Sequence, residues 1–328
     1  MRARWICAAL ALAACRAAPI PPDQRYPAGT ALSAKFIVVA GTRLRYVEAG
    51  KGPSVVLIHG FGASMYSWHR TIEPLAAAGF HVVAFDNKGF GFSDKPAHGY
   101  GNADYARLVL ALIDSLQLPD PVLVGHSMGG AIAAETALRG PSRVRGLVLV
   151  DAAGLGTRGA LGVRAAHGPV LGPVAVSLRS RWVAAELLRS TYADPSKVTE
   201  ADIDQYYAAV AEPDFARALR GVLREFRFDA LRGRLAAIPV PCLVVWGDHD
   251  RLIPERFGRE LAHDLLRSAF IEVPNAGHDV PEEAPDVFNQ TLIAFLEHGV
   301  PATPRDLALA LWRKRQLAVD FVNRPVDE

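Results

Sequence analysis

Short, almost continuous apolar runs alternate with longer amphipathic segments over most of the chain. Eight of these runs are rich in β-branched residues and are typical of strands: FIVVA, RLRYVEAG, SVVLIHG, HVVAFD, PVLVG, VRGLVLVD, CLVVWGD and SAFIEVP. Between them, residues 66–78, 102–116 and 127–139 have the spacing of helices that bury one face. Apolar strands that alternate with helices predict an α/β domain, with a mainly parallel sheet covered on both faces.

The alternation is interrupted by one long segment without strand signals, which follows Asp151. Residues 154–237 carry helix signals instead, among them a capping box that begins at Thr199. The pattern predicts a helical lid of these residues, inserted after the sixth strand into a core formed by residues 36–153 and 238–300.

Both ends of the chain lie outside the predicted core. Near the N-terminus, arginines precede the apolar run ICAALALAA, which is too short to span a bilayer and is typical of a signal peptide. The proline-rich stretch that follows, up to residue 35, predicts a flexible tether. At the other end, residues 301–328 predict a C-terminal helical extension, which either packs on the domain or lies on a membrane surface.

The end of the apolar run, LAAC, resembles the lipobox of bacterial lipoproteins. This resemblance implies removal of residues 1–14, acylation of Cys15, and a tether over residues 15–35 that holds the domain at the membrane of a bacterial cell envelope. The alternative is an ordinary secretory signal, which would leave a soluble secreted or periplasmic protein.

Composition narrows the class of ligand. The chain has 36 basic and 34 acidic residues, so no field of one sign points to nucleic acid. Outside the predicted signal segment and lipobox, Cys242 is the only thiol, which excludes an intrachain disulfide in the core. The sequence contains neither H-E-x-x-H nor C-x-x-C, and we expect no metal and no cofactor. A small molecule is the expected ligand, and the oligomeric state stays open.

Ser127, in the segment GHSMGG, is the candidate nucleophile. It lies between a predicted strand and a predicted helix, the context in which the G-x-S-x-G pattern forms a strained turn. Such a turn exposes the serine hydroxyl at the carboxyl edge of the sheet, where open α/β sheets bind ligands. Larger residues in place of Gly125 and Gly129 would clash with the adjacent strand and helix.

A base and two candidate acids follow in the chain order that a serine triad of this kind requires. The segment GDHDRLIP offers Asp248 and Asp250 after one predicted strand, and AGHDVPEEAP offers His278 after the next. From about residue 36 to residue 298, the chain resembles the α/β-hydrolase superfamily in the branch with a helical lid. The resemblance rests on HGFGAS, DNKGFGFSDKP, GHSMGG and these two acid and base segments.

The resemblance implies an α/β-hydrolase fold with eight mainly parallel strands flanked by helices, and it selects Asp250 over Asp248 as the acid. It places the oxyanion hole at the backbone N–H groups of Phe61 and Met128. Three further residues are expected to brace the loops or line the pocket: His59, Gly60 and His126. Trp182 of the lid is expected to line an acyl pocket, with helix packing as the alternative.

A triad of Ser127, Asp250 and His278 performs acyl transfer through an acyl-enzyme, so we expect hydrolysis of carboxylic esters, including lipid or acyl esters. Two other reactions of serine-dependent relatives stay open, namely cofactor-free haloperoxidase or perhydrolase chemistry and carbon–carbon bond hydrolysis. A non-catalytic binding protein on the same fold is the alternative from a different class.

Overall fold

The computed structural model describes residues 18–156 and 180–298, together with the backbone of residues 319–320. Its strands are β1 (Lys35–Val39), β2 (Thr42–Ala49), β3 (Ser54–Ile58), β4 (His81–Phe85), β5 (Val122–His126), β6 (Gly146–Val150), β7 (Cys242–Gly247), β8 (Ser268–Val273) and β9 (Val319–Asp320). The α-helices of the described part are α1 (Ile72–Ala77), α2 (Asn102–Ser115), α3 (Met128–Arg139), α4 (Arg181–Thr191), α5 (Glu200–Val210), α6 (Phe215–Glu225), α7 (Arg256–Asp264), α8 (Val280–Glu283) and α9 (Pro285–Glu297).

All of these strands belong to one sheet, in the order β1-β2-β4-β3-β5-β6-β7-β8-β9. Neighbouring strands from β4 through β8 in this order run parallel, whereas β1 and β2 form an antiparallel edge. The expected mainly parallel eight-stranded sheet is therefore confirmed. Crossover helices return the chain to the same edge, so the carboxyl ends of the parallel strands lie side by side.

The ninth strand, β9, lies in a part of the chain for which the sequence predicts a helical extension. Val319 and Asp320 pair antiparallel with Ile271 and Phe270 of β8, so at these two positions the chain is extended and not helical. The outer edge of β8 presents backbone groups that an extended segment satisfies by pairing, and local helix patterns do not reveal such an acceptor. The remainder of the predicted extension, residues 301–318 and 321–328, lies outside the described residues.

Each central strand is buried on both faces because its alternate residues enter different cores. In β3, Val56 and Ile58 face one core, while Val55 and Leu57 face the other. Helices α2, α3 and α7 cover the first core, and α1 and α9 cover the second. This two-sided burial explains why the strands read as continuous apolar runs and not as alternating patterns.

The described part of the segment between β6 and β7 contains three α-helices, α4, α5 and α6, joined by turns. We call residues 154–237 the helical insertion; residues 157–179 of it lie outside the described part. Phe215, Ala218 and Val222 of α6 join the core beside the sheet, so this helix is packed on the domain. No helix within the described ranges combines the length and the apolar character needed to cross a bilayer.

Residues 18–34 differ from the flexible tether that their prolines predict. Tyr26 is only 6% exposed, and its backbone N–H donates to Gln205 of α5 at 2.8 Å. Arg25 forms a 2.9 Å ion pair with Glu212, also in the insertion. The buried ring and these polar contacts dock the segment on the domain, together with Leu32 and Ala34, which pack against the same core. Cys15 and the rest of residues 1–17 lie outside the described residues.

Candidate active site

Ser127 occupies a strained turn between β5 and α3. Its φ of 52° and ψ of −118° lie outside the regions favoured by residues with a side chain, a conformation that costs on the order of 1–3 kcal/mol. The neighbouring strand holds it there, because the Ser127 N–H donates to the carbonyl of Val150 at 2.9 Å. The Ser127 carbonyl accepts from the N–H groups of Gly130 at 3.0 Å and Ala153 at 2.9 Å.

The glycines around the turn are required by close backbone contacts. A Cβ atom on Gly129 would lie 2.1 Å from the carbonyl oxygen of Ile58, and one on Gly125 would lie 2.3 Å from that of Gly129. Both distances are far below van der Waals contact. The predicted clash at these two positions is therefore present, and the sequence pattern follows from the packing of α3 against β3 and β5.

His278 and Asp250 form a buried pair at the ends of β8 and β7. The Nδ1 atom of His278 lies 2.8 Å from Oδ2 of Asp250, whose Oδ1 accepts from the N–H groups of Leu252 at 2.7 Å and Ile253 at 2.8 Å. Because the carboxylate accepts, His278 carries its proton on Nδ1 and presents the lone pair of Nε2. Nε2 is buried and has no hydrogen-bond partner in the described part of the chain.

Asp248, the other candidate acid, forms its hydrogen bonds with residues other than His278. Its Oδ1 lies 2.6 Å from Nδ1 of the neighbouring His249 and accepts from the N–H of Ala276 at 3.3 Å. The geometry thus pairs His278 with Asp250, as the resemblance implies. Asp248 instead bonds to His249 and Ala276, in the turn after β7.

The electrostatics around His278 favour its protonated form. Burial acts to lower the pKa of His278, but the charge of Asp250, its hydrogen bond and the charge of Asp279 outweigh burial and raise the pKa above its ordinary value. His278 is therefore a stronger base than a free histidine.

The backbone N–H groups of Phe61 and Met128 are available as oxyanion donors. Neither donates a hydrogen bond to another described residue, and Met128 is the first residue of α3, so its N–H has no acceptor within the helix. The loop that carries Phe61 passes close to the nucleophile, since a Cβ atom on Gly60 would lie 3.1 Å from Cβ of Ser127. The Phe61 ring packs edge-on against Phe90 and Phe228, with centroids 5.8 and 6.1 Å away.

His59 braces the loop that carries Phe61. Its Nε2 accepts from the N–H of Asn87 at 2.8 Å, so its Nδ1 carries the proton and donates to the carbonyl of Gly60 at 2.8 Å. The side chain of Asn87 donates back to the His59 carbonyl at 2.9 Å. Burial lowers the pKa of His59 and keeps the ring neutral. The ring therefore joins the loop of Phe61 to Asn87.

His126 supports the base through the main chain. Its Nε2 donates to the carbonyl of His278 at 2.8 Å and lies 3.5 Å from Oδ1 of Asp279. Burial lowers the pKa of His126 to about 4, so the ring is neutral at physiological pH. A neutral ring here adds no positive charge beside His278.

Trp182 is not brought to the triad by the described contacts. It lies at the start of α4 and is 65% exposed, while the same helix buries Ala185 and Leu188. Pocket lining by Trp182 stays a prediction, because residues 157–179, which precede this helix in the insertion, lie outside the described residues. Aromatic character marks a candidate for burial, but the orientation of α4 on the domain decides which of its faces is covered.

Sequence reasoning missed three residues that join the helical insertion to the loop carrying His278, which we call the base loop: Thr191, Asp279 and Glu283. The two acids stand in the segment AGHDVPEEAP, directly after the base, and that clustering was a usable signal. Their partners lie about 90 positions earlier, in the insertion, so no local spacing reveals the contacts.

Comparison with known proteins assigns this architecture to a family. A family model described as alpha/beta hydrolase fold matches residues 53–285. The chain is 31% identical over 274 residues to 2-hydroxy-6-oxononadienedioate/2-hydroxy-6-oxononatrienedioate hydrolase 2 of Pseudomonas putida, covering 78% of this chain and 92% of that protein. It is 29% identical over 264 residues to the uncharacterized hydrolase YugF of Bacillus subtilis (strain 168), covering 77% and 94% respectively.

A solved structure of similar extent is a membrane phospholipase A, described as a bacterial virulence factor. It aligns with a TM-score of 0.71 and 31% identity, covering 83% of this chain and 87% of the other.

Proposed function

The chain belongs to the alpha/beta hydrolase family, and on this premise we propose that it is a serine hydrolase that cleaves carboxylic esters through an acyl-enzyme. The observation that carries the proposal is the 2.8 Å contact between Nδ1 of His278 and Asp250, which leaves Nε2 as the proton acceptor. A binding protein needs neither a histidine of raised basicity nor a serine held in a strained turn, and this chain has both.

In the proposed reaction, Oγ of Ser127 attacks the ester carbonyl while Nε2 of His278 takes the hydroxyl proton. The N–H groups of Phe61 and Met128 stabilise the negative charge on the tetrahedral oxygen. His278 then donates the proton to the leaving alcohol, and the acyl group remains on Ser127. Water then attacks the acyl carbonyl and gives a proton to His278, which passes it to Oγ of Ser127 as the bond to the acyl group breaks and the acid is released.

Lipid or other long-chain acyl esters are the substrate class we favour. The similarity to a membrane phospholipase A supports this class. The aromatic rings of Phe90 and Phe228, which pack against the ring of Phe61 at the loop of this oxyanion donor, also support it. Carbon–carbon bond hydrolysis is the second candidate, because a solved structure with 29% identity and a TM-score of 0.71 is a meta-cleavage product hydrolase from Pseudomonas fluorescens IP01.

The substrate proposal is tested with p-nitrophenyl esters of rising acyl length, assayed beside a ring-cleavage diketone and a perhydrolysis assay. We expect the highest kcat/KM on an ester, increasing with chain length as more apolar surface is buried. A higher kcat/KM on the diketone would assign the chain to carbon–carbon hydrolysis, and a dominant perhydrolysis rate would assign it to peracid formation.

We further propose that Cys15 carries the lipid anchor and holds the enzyme at the membrane of a bacterial envelope, with a secreted or periplasmic form as the alternative. When the full chain is expressed in bacteria fed an alkyne fatty acid, we expect the protein to incorporate the label. Cys15→Ser removes the thiol that is acylated, so labelling should disappear, whereas the control Cys7→Ser should stay labelled. Equal labelling of native protein and Cys15→Ser contradicts this assignment.

The pH dependence of the proposed hydrolysis follows from the raised pKa of His278. The base must be neutral to accept the serine proton, so activity is present above its pKa and is lost as pH falls through it. Because that pKa lies above the ordinary value of 6.5, the acidic limb of kcat/KM should have its midpoint above 6.5. Its measurement across pH 5–9, about the range in which histidine titrates, checks this; a midpoint below 6.5 contradicts it.

A further inference from the structure

The loop that carries His278 is attached to the end of helix α4 by a set of hydrogen bonds. The N–H of His278 donates to the carbonyl of Thr191 at 2.6 Å, and the hydroxyl of Thr191 donates to the carboxylate of Asp279. The base therefore takes one of its main-chain contacts from the helical insertion, far away in sequence.

Glu283 is the centre of this attachment. Its Oε2 accepts from the N–H groups of Gly277 at 2.6 Å and Ala193 at 3.0 Å, and its Oε1 accepts from that of Asp194 at 2.8 Å. The side chain is buried, with Lys197 as a flanking cation at 3.9 Å. One carboxylate thus joins the residue before the base to the two residues after Tyr192, with charge-assisted hydrogen bonds.

The two chain segments are also in direct steric contact. A Cβ atom on Gly277 would lie 2.2 Å from the carbonyl oxygen of Thr191 and 2.6 Å from the backbone nitrogen of Ala193. There is no space between the base loop and the end of α4 for a side chain. The base loop can move away from Asp250 only if these contacts are broken or if the insertion moves with it.

We propose that Glu283 is a positioning residue for the base: its carboxylate clamps Gly277 to the turn after α4 and thereby holds the His278 imidazole against Asp250. The inference rests on the proposed serine-hydrolase function and adds to it a dependence of the base on the insertion. A second contact holds the same loop, because Nε2 of His126 donates to the carbonyl of His278.

The test compares Glu283→Gln and Glu283→Asp with a matched control, Glu135→Gln. Glutamine keeps the volume of Glu283 but turns an N–H₂ group towards at least one of the three backbone donors. Aspartate keeps the charge but is one methylene shorter, so it reaches fewer of them. Glu135 is also a buried carboxylate, paired with Arg139 and Arg234 at 2.7 Å each on the far part of α3, and its loss measures general destabilisation.

Two readouts separate positioning from stability. The first is kcat and KM per active site, counted by fluorophosphonate labelling. We expect Glu283→Gln to lower kcat about 10- to 100-fold, as a displaced catalytic group does, with KM within about twofold and Glu283→Asp intermediate. The second is the His278 imidazole, observed by NMR with labelled histidine and assigned with His278→Gln. Its Nδ1 proton signal should weaken and its titration midpoint should fall, because contact with Asp250 loosens.

Wild-type kcat and an unchanged His278 signal in Glu283→Gln, with a loss of melting temperature like that of Glu135→Gln, would overturn the proposal. If Glu283→Gln does not fold, Glu283→Asp and Thr191→Val carry the same readouts. The NMR signal does not require turnover, so its response tests the clamp even if no ester is hydrolysed. Failure of the serine-hydrolase proposal appears separately, as wild-type activity in Ser127→Ala.

Discussion

Ser127→Ala is expected to reduce ester hydrolysis by about 10⁴- to 10⁶-fold, because loss of the nucleophile leaves only substrate binding and the oxyanion donors. The fold should be retained. The turn is held by backbone hydrogen bonds to Val150, Gly130 and Ala153, and none of these involves the Ser127 hydroxyl. Steady-state rates on the best ester of the panel, together with the melting temperature, measure the two effects independently.

Labelling with a fluorophosphonate probe identifies the same residue without a known substrate. The native protein should be labelled and Ser127→Ala should not, because the probe reacts with an activated serine. Ser115→Ala, which removes an exposed hydroxyl on α2, should label as the native protein does. Undiminished labelling of Ser127→Ala, or none in the folded native protein, would count against a serine hydrolase.

Asp250→Asn is expected to lower kcat by about 10⁴-fold while Asp248→Asn changes it little. The hydrogen bonds at Asp250 give the reason. Oδ1 accepts from the N–H groups of Leu252 and Ile253, so an asparagine would place its oxygen there and turn its N–H₂ towards Nδ1 of His278. His278 would then carry its proton on Nε2, the atom that must accept the proton of Ser127.

The measurement is kcat/KM against pH for both variants and the native enzyme. Removal of the Asp250 charge should also move the acidic limb to lower pH, since that charge raises the pKa of His278. Asp248→Asn is the matched control, because Asp248 bonds to His249 and Ala276 but not to the base. The opposite pattern, a large loss in Asp248→Asn only, would reassign the acid.

Much of the fold was predictable because its signals are local. The central strands are buried on both faces, and a strand of this kind has to be apolar at every position, as in SVVLI of β3. The turn at Ser127 was predictable for a similar reason. Gly125 and Gly129 are required by contacts of the order of 2 Å, and such a requirement leaves a visible pattern in the chain.

Other features depend on partners that are distant in sequence. The prolines of residues 18–34 predict a tether, whereas Tyr26 docks this segment through a contact with α5, about 180 positions away in the sequence. The exposure of Trp182 is likewise not visible in the sequence, because the packing of α4 on the domain decides which face of that helix is covered. Val319 and Asp320 pair with β8 because that edge has free backbone groups, which no helix pattern records.

The order of the elements, the serine turn and the candidate triad residues can be predicted from the amino-acid sequence, because each depends on short-range periodicity, on steric requirements of neighbouring residues or on a local motif. How the base is held becomes visible in the folded chain. Its tautomer follows from the 2.8 Å contact with Asp250, and its main chain is fixed by Thr191, His126 and the Glu283 clamp. Hydrogen bonds act over about 3 Å in space whatever the separation along the chain, so these contacts exist only once the sheet and the insertion have come together.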